Sequence, residues 1–131
     1  MPYILAVAGG KTFDLDGIAE QLRKQIPTKR SGEPQLAKQQ LAAPQSGVTE
    51  VLLVVRGHEE PHTHPQSDLL FSVLKGGGYV QLSLGRIEAP AGATVIIPKG
   101  VCHAYHNTSP SDSVLLATFP AKPEPGECAE S

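Results

Sequence analysis

The chain has 131 residues, of which 40% are hydrophobic and 18% are charged, and its formal net charge is -2. That length suits a single domain with one buried core. The chain lacks the basic excess that nucleic-acid binding requires, and no apolar stretch approaches the length of a membrane span. The first ten residues also lack the basic start and long apolar run of a signal peptide. We therefore expect neither a nucleic-acid nor a membrane partner.

Residues 1–34 are predicted to form a short strand and one helix that pack on the rest of the domain. The strand covers residues 3–8, YILAVA, and ends at two glycines. Four apolar residues near helical spacing indicate the helix: Leu15, Ile18, Leu22 and Ile26. Asp14 or Asp16 caps its start, and Pro27 ends it.

Residues 35–120 change to the pattern of short strands. Runs of four to nine strand-forming residues alternate with Gly, Pro, Asn and Ser. The predicted strands are QLAKQQLA, VTEVLLVVR, LLFSVLK, GYVQLSL, ATVIIP, CHAYHN and SVLLATF. Such spacing favours an all-β sandwich or barrel over a parallel α/β sheet. Residues 121–131 are rich in Pro and Glu and are predicted to be a flexible C-terminal tail.

All five histidines lie in two short clusters, which makes them the candidates for chemistry. The first cluster is GHEEPHTHPQSD, residues 57–68, and the second holds His103 and His106. On a strand, side chains alternate between faces, so His62 and His64 project together while Thr63 turns away. Two imidazoles on one face suit a shared metal ion, although an HxH pair alone is weak evidence.

The second cluster completes a recognisable pattern. In GATVIIPKGVCHAYHN, residues 92–107, the fixed positions Gly92, Pro98, Gly100, His103 and Asn107 resemble the second sequence motif of the cupin superfamily. The first motif of that superfamily has two histidines one residue apart, followed by a glutamate and a glycine. It is matched here by Gly57, His62, His64, Asp68 and Gly76 or Gly77.

This resemblance implies an all-β fold, a double-stranded β-helix or jelly-roll barrel with one short N-terminal helix. It also implies a metal inside the barrel, held by His62, His64, Asp68 and His103. Such a donor set suits Fe, Mn, Ni, Cu or Zn without selecting among them. Asp68 stands where the family has glutamate, which is longer by one methylene. Asp68 therefore either coordinates the ion or serves as a catalytic base beside it.

Other residues near the two motifs have simpler interpretations. Tyr105 shares the face of His103 and is either a catalytic hydrogen-bond donor in the pocket or a core tyrosine. His58 and His106 are interpreted as turn or interface residues, and Glu59 and Glu60 as solvated turn residues. Cys102 and Cys128 form no CxxC motif, so we expect reduced thiols and a cytoplasmic location.

Two functions remain open from the sequence. The first is a metalloenzyme acting on a small organic substrate, with dioxygenase-like or isomerase chemistry. The alternative is a non-catalytic cupin that binds a sugar or an organic acid. We also expect a homodimer, because both faces of strand 69–75 are largely apolar: Leu69, Phe71 and Val73 on one, and Leu70 and Leu74 on the other. The N-terminal helix is the alternative cover for the outer row.

Overall fold

The computed structural model of the protein describes residues 3–26, 34–41 and 47–128. Near the N-terminus, strand β1 (Ile4–Ala6) pairs antiparallel with strand β2 (Thr12–Asp14), and helix α1 (Leu15–Arg23) follows directly. The Asp14 side chain accepts a hydrogen bond from the Gly17 backbone N–H at 3.2 Å. Asp14, rather than Asp16, is therefore the N-cap.

The helix ends earlier than predicted. Its last helical residue is Arg23, and Ile26 follows as a buried residue outside the helix. Pro27, the predicted terminator, lies outside the described residues. At nine residues, α1 is too short to cross a membrane, and no other helix of the described ranges qualifies.

The remaining strands form two antiparallel sheets. They are β3 (Leu36–Leu41), β4 (Thr49–Val55), β5 (Leu69–Lys75), β6 (Gly77–Leu82), β7 (Gly85–Pro90), β8 (Thr94–Ile97), β9 (Ala104–Asn107) and β10 (Ser113–Phe119). One sheet has the order β3-β4-β10-β5-β8 and the other has the order β7-β6-β9. The chain turns from one sheet to the other at Gly76, whose φ of 83° suits glycine. The predicted double-stranded β-helix with one short helix is confirmed.

The five-stranded sheet has apolar side chains on both faces. Successive residues of a strand point to opposite faces, and here both sets include buried apolar residues. Residues such as Leu53, Phe71 and Leu115 face inward, where they meet Val80 and Tyr105 of the smaller sheet. Residues such as Leu52 and Val54 face outward. Each large side chain removed from water in this way contributes about 1.5–3 kcal/mol to folding.

Helix α1 covers the outer face of this sheet. Its buried residues Leu15, Ala19 and Leu22 pack with Leu52 and Val54 of β4. Leu74, on the outer row of β5, also packs against this cluster. The helix thus covers part of the apolar row from which the sequence analysis inferred a homodimer.

An ion-pair network ties the helix to the barrel. Asp112 accepts hydrogen bonds from Arg56 at 2.9 Å and from Arg23 of α1 at 3.1 Å. These two guanidinium groups, Arg56 foremost, lower the pKa of the Asp112 carboxyl. Its side chain is only 9% exposed, so the pair with Arg56 is screened less than a surface pair.

Strand β7 was not predicted. Its residues are exposed except for Ala89, so the strand lacks the apolar alternation by which the other strands are found. It pairs with β6 from Gly77↔Pro90 to Leu82↔Gly85 as a two-residue hairpin at the edge of the smaller sheet. Edge strands commonly carry charged side chains, here Arg86 and Glu88, which explains the missing apolar signal.

Candidate metal centre

Three histidines converge at one end of the barrel. His62 and His64 lie in the segment between β4 and β5, and His103 directly precedes β9. A β-bridge joins the two motifs: the backbone N–H of each of His62 and His103 donates to the other's carbonyl at 3.0 Å. This bridge is the structural reason that histidines 39 to 41 positions apart in sequence come together.

The three rings are close enough to share one ion. Their centroids are 4.4 Å apart for His62 and His103, 4.9 Å for His62 and His64, and 5.4 Å for His64 and His103. One ring nitrogen from each lies within 4.8 Å of the others. Within the described ranges, these residues make up the group of three or more His, Cys, Asp or Glu that is placed to hold a metal.

Hydrogen bonds to backbone carbonyls fix the orientation of all three rings. The Nδ1 atom lies 2.7 Å from the Glu60 carbonyl in His62, 2.7 Å from the Pro123 carbonyl in His64 and 2.9 Å from the Val101 carbonyl in His103. A carbonyl only accepts, so each Nδ1 carries the proton and donates. Each Nε2 then presents a lone pair, as metal-bound imidazoles do.

The Nε2 atom of His103 tests the fit of a metal. It is buried and has no hydrogen-bond partner among the described residues. A buried polar atom without a partner costs about 1–3 kcal/mol of folding free energy. A divalent ion that accepts lone pairs from the three neutral imidazoles would remove that cost. The donor set therefore fits a divalent transition metal.

Burial also keeps two of the imidazoles neutral. It lowers the pKa of His103 to about 4 and lowers the pKa of His64, in each case against the opposing effect of its carbonyl hydrogen bond. Protonated imidazoles do not bind metal. At neutral pH these two ligands are ready for an ion without first losing a proton.

This depressed pKa predicts an acid-sensitive apoprotein. Because the unfolded state binds the His103 proton below pH 6.5 and the folded state only near pH 4, stability is lost as pH falls through that window. We expect His103 to account for about 3 kcal/mol of the loss between pH 7 and pH 4. Urea unfolding of metal-free wild type and His103→Gln at both pH values measures it. Equal losses in the two proteins would contradict the assignment.

Asp68, predicted as a ligand or base, is not at the site. Its Oδ1 accepts a hydrogen bond from the Lys99 backbone N–H at 2.9 Å, and the residue is exposed. Leu69 points into the barrel, so the residue before it points out. The metal group therefore consists of three histidines and does not include this carboxylate. Asp68 instead stabilises the turn at Lys99.

Tyr105, predicted as a catalytic candidate, is a core residue. It is 1% exposed, and its hydroxyl donates to the Ser113 hydroxyl at 2.8 Å. Ser113 in turn donates to the Asn107 Oδ1 at 2.7 Å, which gives the last residue of the second motif a structural role. Burial raises the pKa of the Tyr105 hydroxyl. The core alternative is the one that the structure supports.

Glu59 is the site residue that the sequence analysis missed. It lines the same cavity as His62 and His64, and its Oε1 accepts a hydrogen bond from the Tyr105 backbone N–H at 3.0 Å. Burial raises the pKa of this carboxyl, while the electrostatic interaction with His62 and the hydrogen bond from the Tyr105 N–H oppose the shift. Glu59 had been interpreted as a solvated turn residue, because no strand pattern covers the segment ahead of Pro61.

The other two histidines form a separate stack. His58 and His106 lie with ring centroids 5.1 Å apart, and His106 stacks on Tyr79 at 4.8 Å. The guanidinium of Arg86 covers the far face of Tyr79 at 4.3 Å. As predicted from strand alternation, His106 faces away from His103. His58 and His106 therefore do not belong to the metal group.

The C-terminal segment closes over the site. Thr63 and Gly126 exchange backbone hydrogen bonds of 3.0 and 2.8 Å, and the Pro123 carbonyl orients His64. We call residues 121–128 the strap. These residues lie in the predicted flexible tail, and the strap is hydrogen-bonded to the first motif. Residues 129–131 lie outside the described part of the chain.

A disulfide joins the strap to the second motif. Cys128 is bonded to Cys102, the residue before His103. The prediction of two reduced thiols is therefore wrong: the folded-back strap brings together cysteines 26 positions apart. The expectation of a cytoplasmic location rested on reduced cysteines, and this bond removes that support.

A cavity of about 500 Å³ adjoins the histidines. Its lining comes from β3, β4, β5 and β10, from the histidine segment and from the strap. The lining residues are Lys38, Gln40, Val51, Leu53, Glu59, His62, His64, Leu69, Phe71, Leu115, Ala117, Phe119, Pro123, Glu124 and Pro125. The volume lies in the range of small-molecule sites.

The fold and the three-histidine group together define a small β-barrel protein with a candidate metal centre. Residues 49–119 match the Cupin_2 family model, described as a cupin domain. That match covers more than half of the chain, and the protein belongs to the cupin family.

One curated relative is similar to part of the chain. The chain is 42% identical over 72 residues to an uncharacterized protein of Aquifex aeolicus (strain VF5), and the match covers 55% of this chain and 59% of that relative. It thus spans less than two thirds of the relative's length.

Two solved structures share the fold. One is an uncharacterized conserved protein with a double-stranded β-helix domain from Klebsiella pneumoniae, 16% identical with a TM-score of 0.69 over 92% of this chain and 99% of that one. The other is recombinant oxalate oxidase in complex with glycolate, 22% identical with a TM-score of 0.63 over 76% of this chain and 57% of that one.

Proposed function

We propose that His62, His64 and His103 hold a divalent transition metal and that the protein is a metalloenzyme acting on a small organic substrate in the adjoining cavity. The observation that carries this proposal is the common orientation of the three imidazoles, each with Nδ1 on a backbone carbonyl. A metal bound there supplies Lewis acidity toward substrate oxygens. Oxygen-dependent cleavage and isomerisation are the reaction classes proposed.

Glu59 supports catalysis over simple binding. It is a carboxylate that lines the cavity beside two of the metal ligands, in the position that a group moving a proton on a bound substrate would need. Its Oε1 is held by the Tyr105 N–H, so the side chain is oriented rather than free to rotate. Burial raises the pKa of its carboxyl.

The test begins with metal content. Untagged protein dialysed against Fe(II), Mn(II), Ni(II), Cu(II) or Zn(II) should retain about one equivalent of at least one of them, by elemental analysis. Oxygen uptake and product analysis then follow with small phenols, diketones and thiols. Turnover that falls in Glu59→Gln while metal content stays constant supports the enzyme. Full metal loading without turnover favours the non-catalytic alternative.

A further inference from the structure

The cavity that His62 and His64 line has a strongly uneven lining. Nine of its residues are apolar. Pro123 and Pro125 belong to the strap, and the other seven come from the inner faces of β4, β5 and β10: Val51, Leu53, Leu69, Phe71, Leu115, Ala117 and Phe119. None of these side chains offers a hydrogen bond. A ligand hydroxyl placed against them loses its water without gaining a partner, which is costly.

The polar lining residues are Lys38, Gln40, Glu59, His62, His64 and Glu124, and four of them interact electrostatically with one another. The Lys38 ammonium interacts electrostatically with both Glu59 and His64, and Glu59 interacts with His62. The apolar part begins directly beside this group, since the Phe119 ring lies 4.7 Å from that of His64, edge to face. The cavity therefore has a polar end at the histidines and an apolar remainder.

From this division we infer the ligand class: a molecule with an anionic oxygen head and an apolar body, such as an aryl or branched-chain carboxylate. The inference rests on the proposed function, because the head is placed at the metal. Glu59 and Glu124 also line the cavity and oppose an anion, so the negative head is favoured by Lys38 together with the charge of the metal. The apolar body fills the space between Leu53, Phe71 and Phe119. A ligand as small as glycolate would leave this space empty. A sugar acid would fill it with hydroxyl groups that have no hydrogen-bond partner.

The experiment compares two carboxylates that share a head and differ in the body. 3-Phenylpropionate and gluconate are titrated into Zn(II)-loaded protein by calorimetry. Burial of the phenyl ring should make 3-phenylpropionate bind at least about tenfold more tightly. Equal binding, or tighter binding of gluconate, would overturn the inference while leaving the metal site intact.

Substitutions locate the binding. Val51→Thr adds a hydroxyl to the apolar lining at nearly constant volume, and should weaken 3-phenylpropionate about fivefold without changing zinc retention. Ile96→Thr, at an exposed position outside the cavity lining, is the matched control and should change neither value. Lys38→Met should weaken both carboxylates. If Val51→Thr and Lys38→Met bind like wild type, the ligand lies elsewhere and the inference is wrong.

The same titration separates this inference from the proposed function. If the protein retains none of the five metals, the proposed function is contradicted. The metal-free protein is then titrated with the same pair, and a preference for 3-phenylpropionate that Val51→Thr removes still supports the apolar cavity as its site. A metal-free protein with no preference overturns both.

Discussion

Replacing His103 with glutamine should lower the affinity for the bound metal by more than about 100-fold. This factor is a lower bound, because losing a partner that merely orients a ligand already costs about 10–100-fold, and His103 is itself one of the three proposed donors. Its Nε2 is buried and has no hydrogen-bond partner among the described residues, so its lone pair is available to an ion. Glutamine keeps most of the side-chain volume, which protects the fold. Equilibrium dialysis against a chelator of known affinity, followed by elemental analysis, gives the ratio.

Two control variants test whether the effect is specific. His106→Ala removes a histidine of the same motif that stacks on Tyr79, and Asp68→Asn removes the carboxylate that the family pattern had placed at the metal. Both should retain metal as the wild type does. A 100-fold loss in Asp68→Asn would restore it as a ligand and contradict the geometry described above. Unchanged retention in His103→Gln would remove the three-histidine site altogether.

The parts of the site that follow from strand alternation were predictable from the sequence. His62 and His64 point the same way because Thr63 lies between them, and the spacing of the second motif identified His103. Alternation also puts Asp68 on the face opposite Leu69 and Phe71, both of which line the cavity. The ligand role given to Asp68 came from the family pattern alone, and the backbone of this chain does not allow it.

The remaining features depend on contacts between distant segments. Glu59 reaches the cavity because the Tyr105 N–H holds its carboxylate, across 46 positions, in a stretch with no strand periodicity. Likewise, nothing local in the Pro- and Glu-rich sequence after residue 120 indicates that Gly126 pairs with Thr63. Strand β7 was missed for a different reason: only Ala89 of its residues is buried, so its sequence carries almost no apolar signal.

The strap leads to a second large expected effect. Reducing the Cys102–Cys128 disulfide, or replacing Cys128 with serine, should lower the free energy of unfolding by about 3 kcal/mol, since the bond closes a loop of 26 positions. It should also weaken metal binding about 10–100-fold, because the freed strap no longer holds the Pro123 carbonyl against His64 Nδ1. Urea unfolding and metal competition, each with and without a dithiol reductant, measure the two effects.

The two effects have separate controls. Serine at both Cys102 and Cys128 should behave like the single variant and become insensitive to the reductant, which excludes a direct action of the dithiol on the metal. Gly126→Pro removes the N–H that donates to the Thr63 carbonyl and leaves both cysteines in place. It should therefore weaken metal binding in the same direction, even with the disulfide intact. If the cysteine variants lose stability but keep full metal affinity, the strap only stabilises the fold, and His64 is oriented without it.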